Sequence, residues 1–226
     1  MRRVNIGTAG WNIARIVADR FPAEGSSLEP YASRFAVAEI NSSFHRPHRL
    51  STWERWRDST PAHFRFSVKL PKVITHQRKL QDFDEPLADF IRQVDGLRDK
   101  LAVVLVQLPP KLPFDAATAA RFFPDLAART PAAIVCEPRH PSWFTDEADA
   151  LLTRYRVGRV AADPAITEAA ARPGGWDALS YWRLHGSPVL YRTSYADRLA
   201  SLARSLAENA ERAGETWCIF DNTASG

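Results

Sequence analysis

Short apolar runs and amphipathic stretches alternate along the whole chain. Strand-like runs fall at 4–8, 36–41, 64–69, 101–107, 132–137, 157–163, 180–185 and 216–221. Helical periodicity occupies 27–35, 51–58, 85–98, 116–128, 146–155 and 198–213 between them. Strand–helix alternation predicts a parallel sheet with helices outside it, and eight strands in that order predict a closed (β/α)8 barrel of the TIM type. An open doubly wound sheet is the structural alternative, but its GxGxxG fingerprint is missing: the first strand runs into GTAGW. No fixed-period repeat is present, so positions 1–226 read as a single barrel domain.

Local signals agree with these boundaries. Asp115 and Thr145 stand where helix N-caps are expected. Pro30, Pro86 and Pro131 fall near element starts, where a missing N–H does little harm. The stretch 164–178, with its Pro-Gly-Gly, reads as a long loop, either a lid over the barrel mouth or a loosely packed connection. After the eighth strand the chain stops at Gly226, so the pattern reads as a barrel lacking the final helix that would cover strands eight and one. An apolar strip left bare there would favour self-association.

Strand alternation sorts side chains into a helix-facing and an inward-facing set. In Phe64-Arg65-Phe66-Ser67-Val68-Lys69 the aromatic and aliphatic residues suit the helix layer, which turns Arg65, Ser67 and Lys69 inward. The same reasoning turns Arg183 and His185 inward, with Val37, Glu39 and Asn41, and Glu137 but not Cys136. In the sixth strand it places Arg159, Ala161 and Asp163 together on the inner side. Glu39, Lys69, Glu137, Asp163, Arg183 and His185 then converge near strand C-termini, where barrel enzymes build their sites. Buried unpaired charges cost several kcal/mol each, so such a set either pairs internally or serves a polar ligand. The segments 41–45 and 137–143 add polar and aromatic groups at two strand exits. Trp11 stands at a third, where it would stack on a ligand or fill the mouth.

Composition narrows the partners. The 226 residues carry a formal charge of +4, mildly favouring anionic ligands, but no block of consecutive Lys and Arg demands nucleic acid. No apolar run is long enough for a membrane span, and the N-terminus enters a strand without a signal-peptide core, so a cytoplasmic location is expected. Cys136 and Cys218 each sit inside an apolar run and read as buried free thiols. Neither a P-loop nor a GxSxG elbow occurs, and no cofactor is expected.

GTAGW, EINSSF, FSVKLPKVITH, CEPRHPSW, YWRLHG and IFDNT, in this order, resemble the family called domain of unknown function 72, the YecE-like proteins. The resemblance implies a TIM-type barrel and names no activity. Carried over position by position, its recurrent polar groups fall on Glu39, Asn41, Lys69, His76, Glu137, Arg139, His140, Trp143, Asp163, Arg183, His185 and Asn222. Two departures stand out: Asp221-Asn222 replaces the paired asparagines typical of the family, and the final helix is lacking.

The favoured expectation is an enzyme, hydrolase-like, acting on a small phosphorylated or carboxylated molecule. Lys69, Arg139 and Arg183 would hold the anion. Glu39 or Glu137 would act as general base, with His185 as acid or proton shuttle and Asp163 beside them. Asn41, His76, His140, Trp143, Asn222 and Trp11 would line the substrate. The first alternative is a metal-dependent phosphodiesterase or nuclease, a divalent zinc or manganese ion taking ligands from Glu39, His76, Glu137, His140, Asp163 and His185. The second is a module that binds nucleic acid or a phospho-ligand without turnover.

Overall fold

The computed structural model describes residues 4–222. Parallel strands β1 (Val4–Thr8), β2 (Val37–Ile40), β3 (Arg65–Lys69), β4 (Leu101–Gln107) and β5 (Ala133–Glu137) form the first five staves of a barrel. The sixth stave is broken at Val160 into β6 (Val157–Arg159), which pairs with β5, and β7 (Ala161–Asp163), which pairs with β9. After the short β8 (Gly174–Gly175), β9 (Leu179–Leu184) and β10 (Glu215–Phe220) complete the circuit, and β10 pairs in parallel with β1. An Ala9–Glu39 bridge joins the first two staves. The cylinder is therefore closed by eight staves, as the strand count predicts.

Helices α1 (Leu28–Ala32), α2 (Leu50–Asp58), α3 (Asp84–Val94), α4 (Ala116–Arg129), α5 (Asp146–Arg154) and α6 (Leu199–Arg212) connect the staves. The side chains of Asp115 and Thr145 cap α4 and α5 by accepting backbone N–H bonds. Helix α3 ends at Val94, earlier than the periodicity predicts, because the chain tightens into a 3-10 segment with Arg98 at a positive φ of 53°.

Two apolar layers follow from strand alternation. Val37, Val103, Leu105, Val135, Val160, Leu179, Tyr181, Trp217 and Ile219 fill the lower barrel interior. Phe66, Val68, Val104, Val106, Ile134 and Cys136 face the helices. Cys136 and Cys218 are both buried and free, as expected. Gly7 permits the seam between β1 and β2: a Cβ there would lie 2.3 Å from the carbonyl oxygen of Val37.

Three expectations are corrected. The sixth stave has the opposite phase. Val160 enters the interior, while Arg159 turns to the helix layer, where it holds Asp149 of α5 at 2.7 and 3.1 Å and lies over Phe144. The two polar residues suggested an inner face, but a three-residue strand segment carries too little alternation to fix its phase. Arg65 is engaged at the closed end, donating to the carbonyls of Ala62 and Phe64. Segment 164–178 is not a lid: it doubles back, and Gly174–Gly175 pairs antiparallel with β6. The outer face of β1 leaves Ile6 45% exposed. The reading of a missing final helix concerns the chain beyond β10, and 223–226 lie outside the described residues.

Candidate active site

Arg183 occupies the centre of the upper barrel. Its Nε donates to Glu39 Oε2 at 3.0 Å, and its Nη2 to Glu39 Oε1 at 2.7 Å and Asp221 Oδ2 at 2.6 Å. Its Nη1 donates to Glu137 Oε2 at 2.5 Å. Tyr181 adds a fifth bond to the cluster, its hydroxyl donating to Glu39 Oε2 at 2.9 Å. Glu39, Glu137 and Arg183 are all fully buried. Burial works against the charge of Arg183, but Glu39, Glu137 and Asp221 outweigh it and keep the guanidinium firmly protonated.

His185 lies one layer higher, between two carboxylates. Its Nε2 is 3.1 Å from Glu137 Oε1 and its Nδ1 3.1 Å from Asp221 Oδ2. Burial lowers its pKa, but those two carboxylates prevail and the imidazole is pushed upward. Burial likewise raises Glu137, yet Arg183, Arg139 and His185 hold it well below the ordinary carboxylate range. Asp221 is also held low: burial is outweighed by His185 and Arg183. Arg139 completes the layer through Glu137 and through His185 Nε2 at 2.7 Å. That last contact needs a lone pair on Nε2, so it competes with the bond from a protonated His185 to Glu137.

The open side is cationic. Lys69 ends β3 only 8% exposed, with its Nζ 4.3 Å from the Phe44 ring centroid. Among the described residues that Nζ has no hydrogen-bond or ion-pair partner, because the nearby carboxylates are taken by Arg183, Arg139 and His185. Burial, reinforced by Arg183, lowers its pKa. His76 meets the same Phe44 ring edge-on at 4.9 Å, and burial and Lys69 together favour its neutral form. At the neighbouring exit of β2, Asn41 Oδ1 is buried without a hydrogen-bond partner among the described residues. Above His185, the segment after β9 folds over the mouth. Tyr191 N donates to His185 O at 2.6 Å and the two rings stand 6.1 Å apart, while Asn222 Nδ2 ties the segment to β10 by donating to Thr193 O.

The expected residues therefore divide. Glu39, Lys69, Glu137, Arg183 and His185 converge as the strand pattern predicts, and Arg139 joins them from the segment after β5. Asp163 does not: sharing the phase error of its stave, it accepts from Arg198 on the outer side. Trp143 is buried, donating from Nε1 to Leu112 O and packing on Phe114. Trp11 packs on Trp56 and Phe66. The imidazole of His140 caps the 141–143 turn by accepting from Ser142 N. Glu39 and Glu137 spend their oxygens on Arg183 and its neighbours, which suits them to holding the guanidinium rather than to taking a proton. Arg183 likewise has its donors turned to carboxylates rather than to the mouth. Asp221 and Tyr181 are additions. Asp221 was detectable, since Trp217 and Ile219 set the inward phase of β10. Among the described residues, no group of three or more His, Cys, Asp or Glu is placed to hold a metal ion. None of the helices there is long and apolar enough to cross a membrane.

A family model described as "Protein of unknown function DUF72" matches residues 5–226. The chain belongs to the DUF72 family. It is 29% identical over 151 residues to UPF0759 protein YecE of Escherichia coli (strain K12), covering 64% of this chain and 55% of that protein. It is 32% identical over 113 residues to UPF0759 protein YunF of Bacillus subtilis (strain 168), covering 47% and 40%. The chain thus spans about half the length of the curated relatives it matches. A crystal structure of a DUF72 family protein from Enterococcus faecalis V583 superposes with a TM-score of 0.80 at 18% identity, covering 98% of this chain and 90% of that one. Another, from Thermotoga maritima MSB8, gives 0.78 at 22% identity, covering 99% and 94%. More distantly, D-allulose 3-epimerase from a Methylomonas species gives 0.55 at 14% identity over 98% of this chain and 85% of that one. These likenesses establish the barrel fold of the DUF72 chain, which agrees with the resemblance carried by the six motifs.

Proposed function

We propose that the mouth of the barrel binds a small anionic metabolite and carries out proton transfer on it. The supporting observation is the ammonium of Lys69, 8% exposed and without a hydrogen-bond or ion-pair partner among the described residues. Glu39, Glu137 and Asp221 bring three negative charges, and Arg183, Arg139 and Lys69 bring three positive ones. A charged His185 leaves the cluster one positive charge in excess, which a phosphate or carboxylate would neutralise. Arg139, with its side chain 18% exposed and its Nε without a partner among the described residues, keeps a donor for that group.

His185 is the proton source in this reading, held charged between its carboxylates. Asp221, 18% exposed, carries the proton path from its Nδ1 to the mouth. Glu39, Glu137 and Tyr181 are positioning residues that fix Arg183 and His185. Hydrolysis and isomerisation both fit such a proton donor; the barrel shared with D-allulose 3-epimerase makes an isomerisation panel worth running beside a phosphatase panel. Calorimetric titration of the full chain with inorganic phosphate and small carboxylates tests the anion site. Saturable binding, weakened by salt and at least tenfold weaker in Arg139→Gln, is expected. Absence of binding by the wild-type chain would overturn the reading.

A further inference from the structure

We propose that Lys69 is a nucleophilic amine that forms an imine with the carbonyl carbon of a small anionic oxo compound whose acid group rests on Arg139. This rests on the anion-binding reading of the mouth and adds to it a substrate class and a covalent step. Most lysines of a protein are exposed, hydrated ammonium groups. Lys69 is 8% exposed, and its Nζ has no carboxylate or carbonyl partner among the described residues. By contrast Lys100, also buried, is fully engaged, donating to the carbonyls of Arg57 and Thr60 and to the Thr60 hydroxyl. A buried ammonium with no hydrogen-bond or ion-pair partner gains least from its charge, and burial together with the Arg183 charge lowers its pKa, so Lys69 gives up its proton more readily than an exposed lysine and exposes the nucleophilic lone pair.

The neighbours supply the rest of the chemistry. His76, with its pKa lowered, shares the Phe44 ring with Lys69, and its Nδ1 is fixed by the Thr75 hydroxyl at 2.9 Å. The lone pair of Nζ attacks the carbonyl carbon, a C–N bond forms, and the carbonyl π electrons move to oxygen. His76 takes one proton from the new ammonium and returns it to that oxygen, giving a neutral carbinolamine. A second proton, from the His185–Asp221 pair, converts the hydroxyl to water, which leaves as the nitrogen lone pair closes the C=N bond. One amine, one carbonyl and one proton thus give one iminium and one water. The iminium then acidifies the adjacent carbon, which is the activation that isomerisation or lyase chemistry needs.

Reductive trapping tests the proposal on the full wild-type chain. Pyruvate or dihydroxyacetone phosphate is added with sodium cyanoborohydride, and adducts are located by peptide mass mapping. The expected result is one adduct at Lys69, formed at least tenfold faster than at Lys72, Lys79 or Lys111, and absent from Lys69→Arg. Labelling of Lys69 no faster than of those lysines overturns the proposal. Added inorganic phosphate separates the two readings. Trapping at Lys69 that phosphate does not slow leaves the imine standing and removes the anion site. Phosphate binding that depends on Arg139, with no trapping at Lys69, does the reverse.

Discussion

Arg183 grips Glu39 with two nitrogens, Nε at 3.0 Å and Nη2 at 2.7 Å, across a barrel interior from which both side chains are excluded from water. Two charges buried this deeply are tolerable only while they hold each other, because removing one leaves the other without solvent or partner. Arg183 also holds Glu137 and Asp221, so its loss strands three carboxylates. Arg183→Met is expected to cost roughly 3–5 kcal/mol, the range for breaking a buried pair, in urea unfolding at neutral pH. A loss under about 1 kcal/mol would show that the carboxylates are protonated or hydrated rather than clamped.

This cluster was largely readable from residue order. In Tyr181-Trp182-Arg183-Leu184-His185, bulky apolar residues at alternate positions fix which face meets the helices, and the same holds around Lys69 and Glu137. The method fails at Asp163 because small residues such as Gly158 and Ala162 leave the two faces alike. It cannot separate Trp11 and Trp143 from ligand-stacking rings, since an aromatic at a strand exit fits both packing and binding. Nor can it tell that Arg183 is bonded to three carboxylates while Lys69, near the same three, is bonded to none of them. That difference comes from how five staves far apart in sequence meet, which no local pattern encodes.

Lys69 makes the contrasting case. Since its buried charge has no hydrogen-bond or ion-pair partner among the described residues, replacing it by an apolar side chain of similar length removes a desolvation cost and gives up only the contact with the Phe44 ring. Lys69→Met is expected to leave stability unchanged or raised by about 1 kcal/mol, while phosphate affinity falls at least tenfold, or about 1.4 kcal/mol. Opposite signs for stability and binding are the signature of a functional group, and a loss of both would make Lys69 a structural one. Urea unfolding and phosphate titration on one preparation give the two numbers.

His185 and Asp221 set the pH window of stability. The folded-state pKa of His185 lies above its ordinary 6.5, so its contribution is complete below that value and is lost as pH rises through the folded one. Asp221 lies below its ordinary 3.8, so its contribution is present above that value and is lost as pH falls through the lower one. The melting temperature should therefore fall on the alkaline side of 6.5 in the wild-type chain, and His185→Gln should flatten that limb while leaving the acid limb in place. Equal alkaline slopes in the two proteins would mean that the imidazole is neutral in the fold, with Arg139 donating to its Nε2.

The seam between β1 and β2 carries Glu39 into the cluster, since Gly10 N donates to Glu39 O at 2.8 Å and Ala9 bridges to it. Two glycines flank that contact and differ in kind. A Cβ on Gly7 would lie 2.3 Å from Val37 O and 2.9 Å from Val37 Cγ2, and a backbone carbonyl within a stave cannot step aside. A Cβ on Gly10 would meet nothing within 4 Å, but the residue has φ +76°, which L side chains adopt at a cost of about 1–2 kcal/mol. Gly7→Ala must spread the staves, an overpacking cost of roughly 1–3 kcal/mol, and should also shift Glu39 and so weaken phosphate binding. Gly10→Ala should lose stability alone, with binding intact. If Gly7→Ala unfolds and binds like the wild type, the first two staves stand further apart than this closure requires, and Glu39 does not owe its position to their contact.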